Sequence, residues 1–347
     1  MHHSDAIVQR RSRRLLTTCG LGLAVVVIAA GALSIGQYTM TLPDVLRIVA
    51  AGPTPVSPEL GASVLWQVRM PRIVLSLLIG AALAVSGAVM QALFANPLAE
   101  PGVIGVSSGA GVGAAIAIVS GISFAGTFTV PLLAFVGAAA TAWLVFILSR
   151  VRGQTQVVSL ILTGIAVNAV AGAAISFLIF LAPTTAREQI QFWHMGSLNG
   201  AQWKHVVTVL PVIIVGIALS AGLSRQLDLL ALGERAAEHV GVGVAKLRFY
   251  SLAVATMLTA AAVAFGGIIG FVGLIVPHLL RLVLGAGNRW LIPVSALGGA
   301  VLLSAADIVA RTAIAYADLP IGIFTALVGG PVFFYLLRRT LAKGQHV

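Results

Sequence analysis

Long runs without a single charged residue limit this chain more than any other feature. They cover residues 15–43, 73–99, 101–149, 153–186, 205–224, 249–280, 290–306 and 319–337. A hydrocarbon core about 30 Å thick takes about 20 helical residues, so most of these runs have the length of one crossing. The run 101–149 is too long for one, and Gly121, Gly126 and Pro131 mark a turn inside it. The run 249–280 is also long, and its apolar character resumes beyond Arg281 to Leu284, with Gly266, Gly267 and Gly270 marking the turn. The expected fold is therefore an all-α polytopic membrane protein of about ten transmembrane helices.

Composition agrees. Of 347 residues, 59% are hydrophobic and 9% charged, against about 45–50% and 25% in ordinary soluble domains. That excludes a disordered chain, a nucleic-acid-binding domain and a disulfide scaffold; the single Cys19 has no internal partner.

The formal net charge of +11 is explained first by topology, because basic residues collect on the cytoplasmic side. Ten crossings put both termini on one side. If that side is the cytoplasm, it receives Arg10, Arg11, Arg13, Arg14, Arg150, Arg152, Arg225, Arg235, Lys246, Arg248, Arg281, Arg289, Arg338, Arg339 and Lys343. The other side receives only Arg47, Arg69, Arg72, Arg187, Lys204 and Arg311. Termini in the cytoplasm follow. The layout is a tail at 1–14, one membrane domain at 15–341 and a tail at 342–347, with 226–247 as the long inside loop. The run from Leu15 imitates a signal peptide but is longer than its apolar region, so it reads as an anchor. Outside segments are expected at 44–68, rich in proline, and at 182–203, with a short helix carrying Phe192, Trp193 and Trp203.

Motifs exclude more than they establish. Gly105, Gly109 and Gly113 imitate a phosphate loop, but they fall every fourth residue in an apolar helix, which suits close helix packing. A P-loop needs Gly-Lys-Ser/Thr, and the lysines Lys204, Lys246 and Lys343 follow Trp203, Ala245 and Ala342. Any ATP hydrolysis therefore belongs to another polypeptide. No zinc, redox or nucleophile-elbow motif appears. Membrane charges are few: Asp307 and Arg311 lie four apart and can pair on one helix face. That weakens the reading as an ion-coupled secondary transporter. His278 reads as a structural turn residue, and His194 as part of an interfacial aromatic cluster, with contact to an iron-bearing ligand as its alternative. The segment 231–243 has apolar Leu232, Ala236, Val240 and Val242 between charges, bracketed by Gly233 and Gly241. That pattern suits a short helix that docks a partner.

An ordered set of segments resembles a known family. It comprises Arg69-Met70-Pro71-Arg72, Gly80 to Gly87 with Gln91, Asn96 to Gly102, Ala231-Leu232-Gly233-Glu234, Gly270 to His278, Ala306 to Arg311 and Leu319 to Gly322. From about residue 65 to 340 these are similar to the permeases of type II ABC importers, the FecCD-type family for iron–siderophore, haem and cobalamin uptake. The resemblance implies a homodimer in the cytoplasmic (inner) membrane, with a path along its axis. It implies two ATP-binding subunits inside, an extracytoplasmic substrate-binding protein outside, surrounding lipid and no nucleic-acid partner. The chain itself would bind no cofactor; ATP and Mg would sit on the partner ATPase.

By matched motif, Leu232, Gly233, Glu234 and Ala237 would couple to the ATPase. Arg69, Arg311 and, less directly, Arg72 would face outward to carboxylates of the binding protein, since Arg pairs them in bidentate fashion. Thr163, Asn168 and Ser176 lie on the helix matched to the path; for Asn168 helix–helix hydrogen bonding is the equal alternative. The segment Phe192 to Leu198 resembles haem permeases most, which favours haem over a ferric siderophore and then cobalamin.

Overall fold

The computed structural model describes residues 2–53, 59–151, 154–314 and 316–344. In chain order these form α1 (His2–Ser34), α2 (Leu42–Ala51) and α3 (Leu60–Ser63), then a π-helical turn (Val64–Arg69) leading into α4 (Met70–Leu93). There follow α5 (Val106–Ser120), α6 (Thr129–Leu148), α7 (Val157–Leu181), α8 (Thr184–Met195) and α9 (Trp203–Leu230). The series ends with α10 (Glu234–His239), α11 (Val244–Gly266), α12 (Val272–Leu284), α13 (Asn288–Thr312) and α14 (Ile321–Gly344). A two-residue antiparallel ladder, Arg150–Val151 on Gln154–Thr155, joins α6 to α7.

Both expected divisions are present. Gly121 closes α5 at φ +63 and Gly126 turns at φ +56 before α6, whereas Pro131 lies inside the first turn of α6. Gly267 at φ +68 closes α11, and Phe271, a non-glycine at φ +69, opens α12. Among the described residues, 7 helices are long and apolar enough to cross a bilayer. Three of the ten expected spans, Val106–Ser120, Val272–Leu284 and Ile321–Tyr335, are shorter apolar helices. At 1.5 Å per residue, α5 and α12 reach roughly 20 Å, less than the hydrocarbon core.

Other boundaries differ from the sequence expectation. The inside loop expected over 226–247 shrinks to two turns around α10, because α9 continues to Leu230 and α11 begins at Val244. The N-terminal tail is helical from His2, and α14 runs on to Gly344; Met1 and residues 345–347 lie outside the described residues. In 44–68, Thr41 and Asp44 form a capping box for α2, and Pro55 and Pro58 lie outside the described residues. Phe192 and Trp193 sit on α8 as expected, but Trp203 opens α9 and donates its indole N–H to Trp66 O at 2.7 Å.

Small residues decide which helix is central. In α4, 78% of the apolar window is buried, against 6% in α1 and 11% in α7. A Cβ on Gly80 would lie 2.2 Å from Gly299 O, and one on Gly87 would lie 1.8 Å from Gly273 O. Helix α4 therefore meets α13 and α12 backbone against backbone. In lipid, where no hydrophobic force drives helices together, such close approach is what associates them. Ser76 and Ser304 share a hydrogen bond of 2.7 Å across α4 and α13, and Gln91 donates to Leu274 O at 3.0 Å. Gly109 and Gly113 do the same work between α5 and α6, facing Gly137 O and Leu133 O, as their spacing predicts, whereas Gly105, expected on the same helix face, lies before α5 as its left-handed cap at φ +83.

Gly87→Ala should force a backbone shift costing about 1–3 kcal/mol, while Gly172→Ala, with nothing within 4 Å, should be near neutral. Thermal unfolding of both variants in detergent checks this; equal melting temperatures would remove the close-packing account.

Candidate functional site

At one end of the bundle, where α9 stops and α11 starts, Gly233 takes φ +110 and Gly241 φ +86. Between them α10 rests on the bundle through one fully buried residue, Ala237. Its other residues are exposed, and Leu232 at 75% and Val240 at 63% present apolar side chains outward. The Glu234 carboxylate is held by Arg248 of α11. A Cβ on Gly233 would meet nothing within 4 Å, so the glycine is needed for its backbone angle rather than for space. The four residues expected to couple are thus together but face different ways: Ala237 inward, Leu232 and Glu234 outward.

The turn between α4 and α5 lies at the same end. Asn96 accepts from Leu98 N at 2.9 Å, and His278 of α12 lies beside the Pro97 backbone. Burial raises the Glu100 carboxyl above its ordinary value.

The expectation that Arg69, Arg72 and Arg311 face outward is corrected at the opposite end. Their exposures are 3%, 7% and 5%. Arg72 Nε donates to both oxygens of Asp307 at 3.0 and 3.2 Å, and its Nη1 to Asp318 at 2.8 Å. Arg311 donates to Ala32 O at 2.7 Å, with its Nε 3.9 Å from Asp307. Arg69 donates to Leu33 O and Tyr38 O. For Arg69 and Arg311 the physical reason is the end of α1, whose last carbonyls have no partner in their own helix and attract cations through the helix dipole; for Arg72 it is the pair of carboxylates, Asp307 and Asp318. Gln37 completes the junction by donating to Ile314 O at 3.1 Å and accepting from Tyr316 N at 2.9 Å. The sequence reading missed Asp318, Gln37 and Arg248, whose partners lie far along the chain or across a turn, with no spacing signal.

Of the path candidates, Asn168 is bonded within the protein: Ser108 donates to its Oδ1 at 2.7 Å and its Nδ2 donates to Gly102 O at 3.1 Å. Ser176 donates to Gly172 O of its own helix at 2.9 Å and is exposed; Thr163 is half-buried. Around them α7 exposes Leu162, Ile165, Val170, Phe177 and Phe180.

The segment at the end of α8 is tightly enclosed. Gly196 at φ +70 accepts at its carbonyl from Ile321 N at 2.9 Å, and Ser197 N donates to Gly266 O at 2.8 Å. This ties α8 to α11 and α14. His194 packs edge-on against Trp193 at 5.7 Å and lies over Gly111. Burial pushes its pKa below the ordinary 6.5. Among the described residues no three His, Cys, Asp or Glu side chains converge to hold a metal ion. A cleft of ≈ 430 Å³ opens beside this segment, lined by Gln189, Trp193, Asn199, His205 and Phe265.

Comparison with known proteins gives this geometry its context. Residues 23–339 match the FecCD transport family. The chain belongs to that family. The hemin transport system permease protein HmuU of Yersinia pestis is 43% identical over 79% of this chain and 83% of its own length. The cobalamin import system permease protein BtuC of Halobacterium salinarum is 42% identical over 93% of this chain and 89% of its own. A metal-chelate type ABC transporter, solved in an inward-facing conformation, superposes with a TM-score of 0.82 at 35% identity, covering 93% of this chain and 98% of that one. This FecCD chain is therefore an ABC-transporter permease with multiple apolar helices, and its relatives are permease subunits.

Two measurements test the site. Arg72→Met leaves Asp307 buried without its main partner and should cost about 3–5 kcal/mol; adding Asp307→Leu should restore part of that, read as a double-mutant cycle of thermal unfolding. For Glu100, a raised folded pKa means that the folded state holds the proton more tightly than the unfolded chain. That stabilisation is complete below the ordinary 4.5 and is lost as pH rises through the folded value. Glu100→Gln should therefore raise the melting temperature at pH 7.5 and change it little at pH 4.

Proposed function

We propose that this chain is the permease of an ATP-driven importer that moves an iron chelate across the cytoplasmic (inner) membrane, with haem as the first cargo to test. The observation that carries the reading is α10, a short helix held on the bundle by one buried alanine and one ion pair, with Leu232 before it and Val240 after it turned to solvent. A solvated connector has no use for that face. A groove on an ATPase does, and a helix so lightly held can follow the closing of an ATPase dimer and tilt the helices on either side of it.

In this reading ten helices cross or enter the membrane, both termini are cytoplasmic, and two copies assemble around the path. The apolar surface of α7 and of α14, with Leu327, Phe334 and Tyr335 exposed, supports a second copy. Two ATPases with ATP and Mg bind at the α10 end, where Leu232 and Glu234 make contact, Gly233 sets the turn and Ala237 anchors it. The binding protein docks at the other end, with Arg69, Arg72 and Arg311 shaping that surface from beneath. Thr163, Asn168 and Ser176 are the path candidates, with Asn168 also bonded to Ser108 and Gly102. The hemin and cobalamin relatives are almost equally similar, so haem rests on the Phe192 to Leu198 segment, with ferric siderophore and cobalamin as alternatives.

The test is ATP hydrolysis in nanodiscs by this chain with its ATPase and binding protein, loaded with haem, a ferric siderophore or cobalamin. One loaded form should stimulate turnover. Leu232→Asp should lose about 2 kcal/mol of docking and uncouple hydrolysis from transport with the fold intact. Uptake by the chain alone that collapses with an uncoupler would instead identify a secondary transporter.

A further inference from the structure

A basic cavity of ≈ 400 Å³ lies at the α10 end of the molecule, between α1 and the turn joining α12 to α13. Arg13 and Arg14 form one wall, and Leu282, Val283 and the backbone of 285–287 form the other. None of its lining residues is acidic. Arg14 uses only Nε, donating to Leu284 O at 3.4 Å, and its Nη2 lies 3.9 Å from where a Cβ on Gly287 would be, so the glycine leaves space over the turn. Behind the turn, Arg281 Nη1 donates to Ala286 O at 3.3 Å while its Nη2 is buried without a hydrogen-bond partner. The Asp228 carboxylate accepts at Oδ1 from the backbone and side-chain N–H groups of Asn288, at 2.7 and 2.8 Å; its charge is felt by Arg281, and it does not line the cavity. Among the described residues, Arg13 and Arg14 therefore face the cavity with no carboxylate lining it.

Its surroundings indicate where the missing anion comes from. Leu282 and Val283, 56% and 51% exposed, continue from the cavity along α12, and Leu15 and Leu16, 47% and 70% exposed, continue along α1. A soluble anion has no use for two apolar rows, whereas a phospholipid uses both parts. We propose that this cavity holds the phosphate headgroup of an anionic phospholipid from the leaflet on the α10 side, with its acyl chains along α1 and α12. Guanidinium groups pair with phosphate in a fixed fork, and basic pockets between helices on the cytoplasmic side suit such headgroups. The inference rests on the membrane reading and is independent of the cargo.

The test uses the full chain in nanodiscs of phosphatidylcholine with and without phosphatidylglycerol. Bound lipid is read by native mass spectrometry after extraction, and stability by thermal unfolding. Phosphatidylglycerol should stay bound and raise the melting temperature. Arg13→Gln should lower retention about five-fold and Arg13→Gln with Arg14→Gln about 25-fold, at about 1 kcal/mol per arginine. The single variant leaves the Arg14 bond to Leu284 intact, so its result stands even if the double variant folds poorly. A control, Arg225→Gln with Lys246→Gln, removes two exposed charges at the same end and should change nothing. Equal loss in the control would mean diffuse attraction and overturn the site. Unchanged retention in Arg13→Gln would overturn it too. Inorganic phosphate that reproduces the stabilisation in pure phosphatidylcholine would reveal a free-anion site and end the lipid assignment.

Discussion

Gly87 approaches Gly273 so closely that no methyl group fits between them, and the helical bundle is arranged around contacts of that kind. A membrane offers apolar helices no hydrophobic reason to associate. What remains is surface fit, dispersion and the occasional hydrogen bond, and all three grow as backbones approach. Gly80 and Gly87 lie two turns apart on one face of α4, which meets α13 at the first and α12 at the second, and its burial follows. The same device joins α5 to α6 through Gly109 and Gly113.

The two ends of the bundle solve different problems. At the end of α1, three buried arginines meet orphan carbonyls and two aspartates, Asp307 and Asp318. Each charge there is costly to bury alone and acceptable only with its partners in place, which makes the junction between α1, α4 and α13 cooperative. At the other end the fold leaves α10 loosely held, with one buried alanine and an ion pair to Arg248. A firm frame at one end and a lightly attached helix at the other suit a device in which a motion begins at α10 and passes through long helices.

The family relationship is consistent with this division of labour. Permeases similar to this one serve hemin in one organism and cobalamin in another. A scaffold built from glycine contacts and a capped helix end tolerates such variety, because neither depends on the cargo.

The sequence by itself determined the helical class, the places where long apolar runs divide and the absence of an ATPase loop, because these depend on local length, charge and turn residues. It also carried the glycine spacing that packs α5 on α6 and the glycine bracket around α10. Tertiary structure decided what the charged and polar groups do. Arg69, Arg72 and Arg311 read as outward-facing and are buried, since only the folded bundle brings the end of α1 beside Arg69 and Arg311 and two aspartates beside Arg72. Asn168 had two open readings, path and packing, and the nearness of Ser108 and Gly102 supplies the bonds of the packing one. Local patterns report what a segment needs from its solvent; a hydrogen-bonding side chain is satisfied by whichever partner the packing of distant helices delivers.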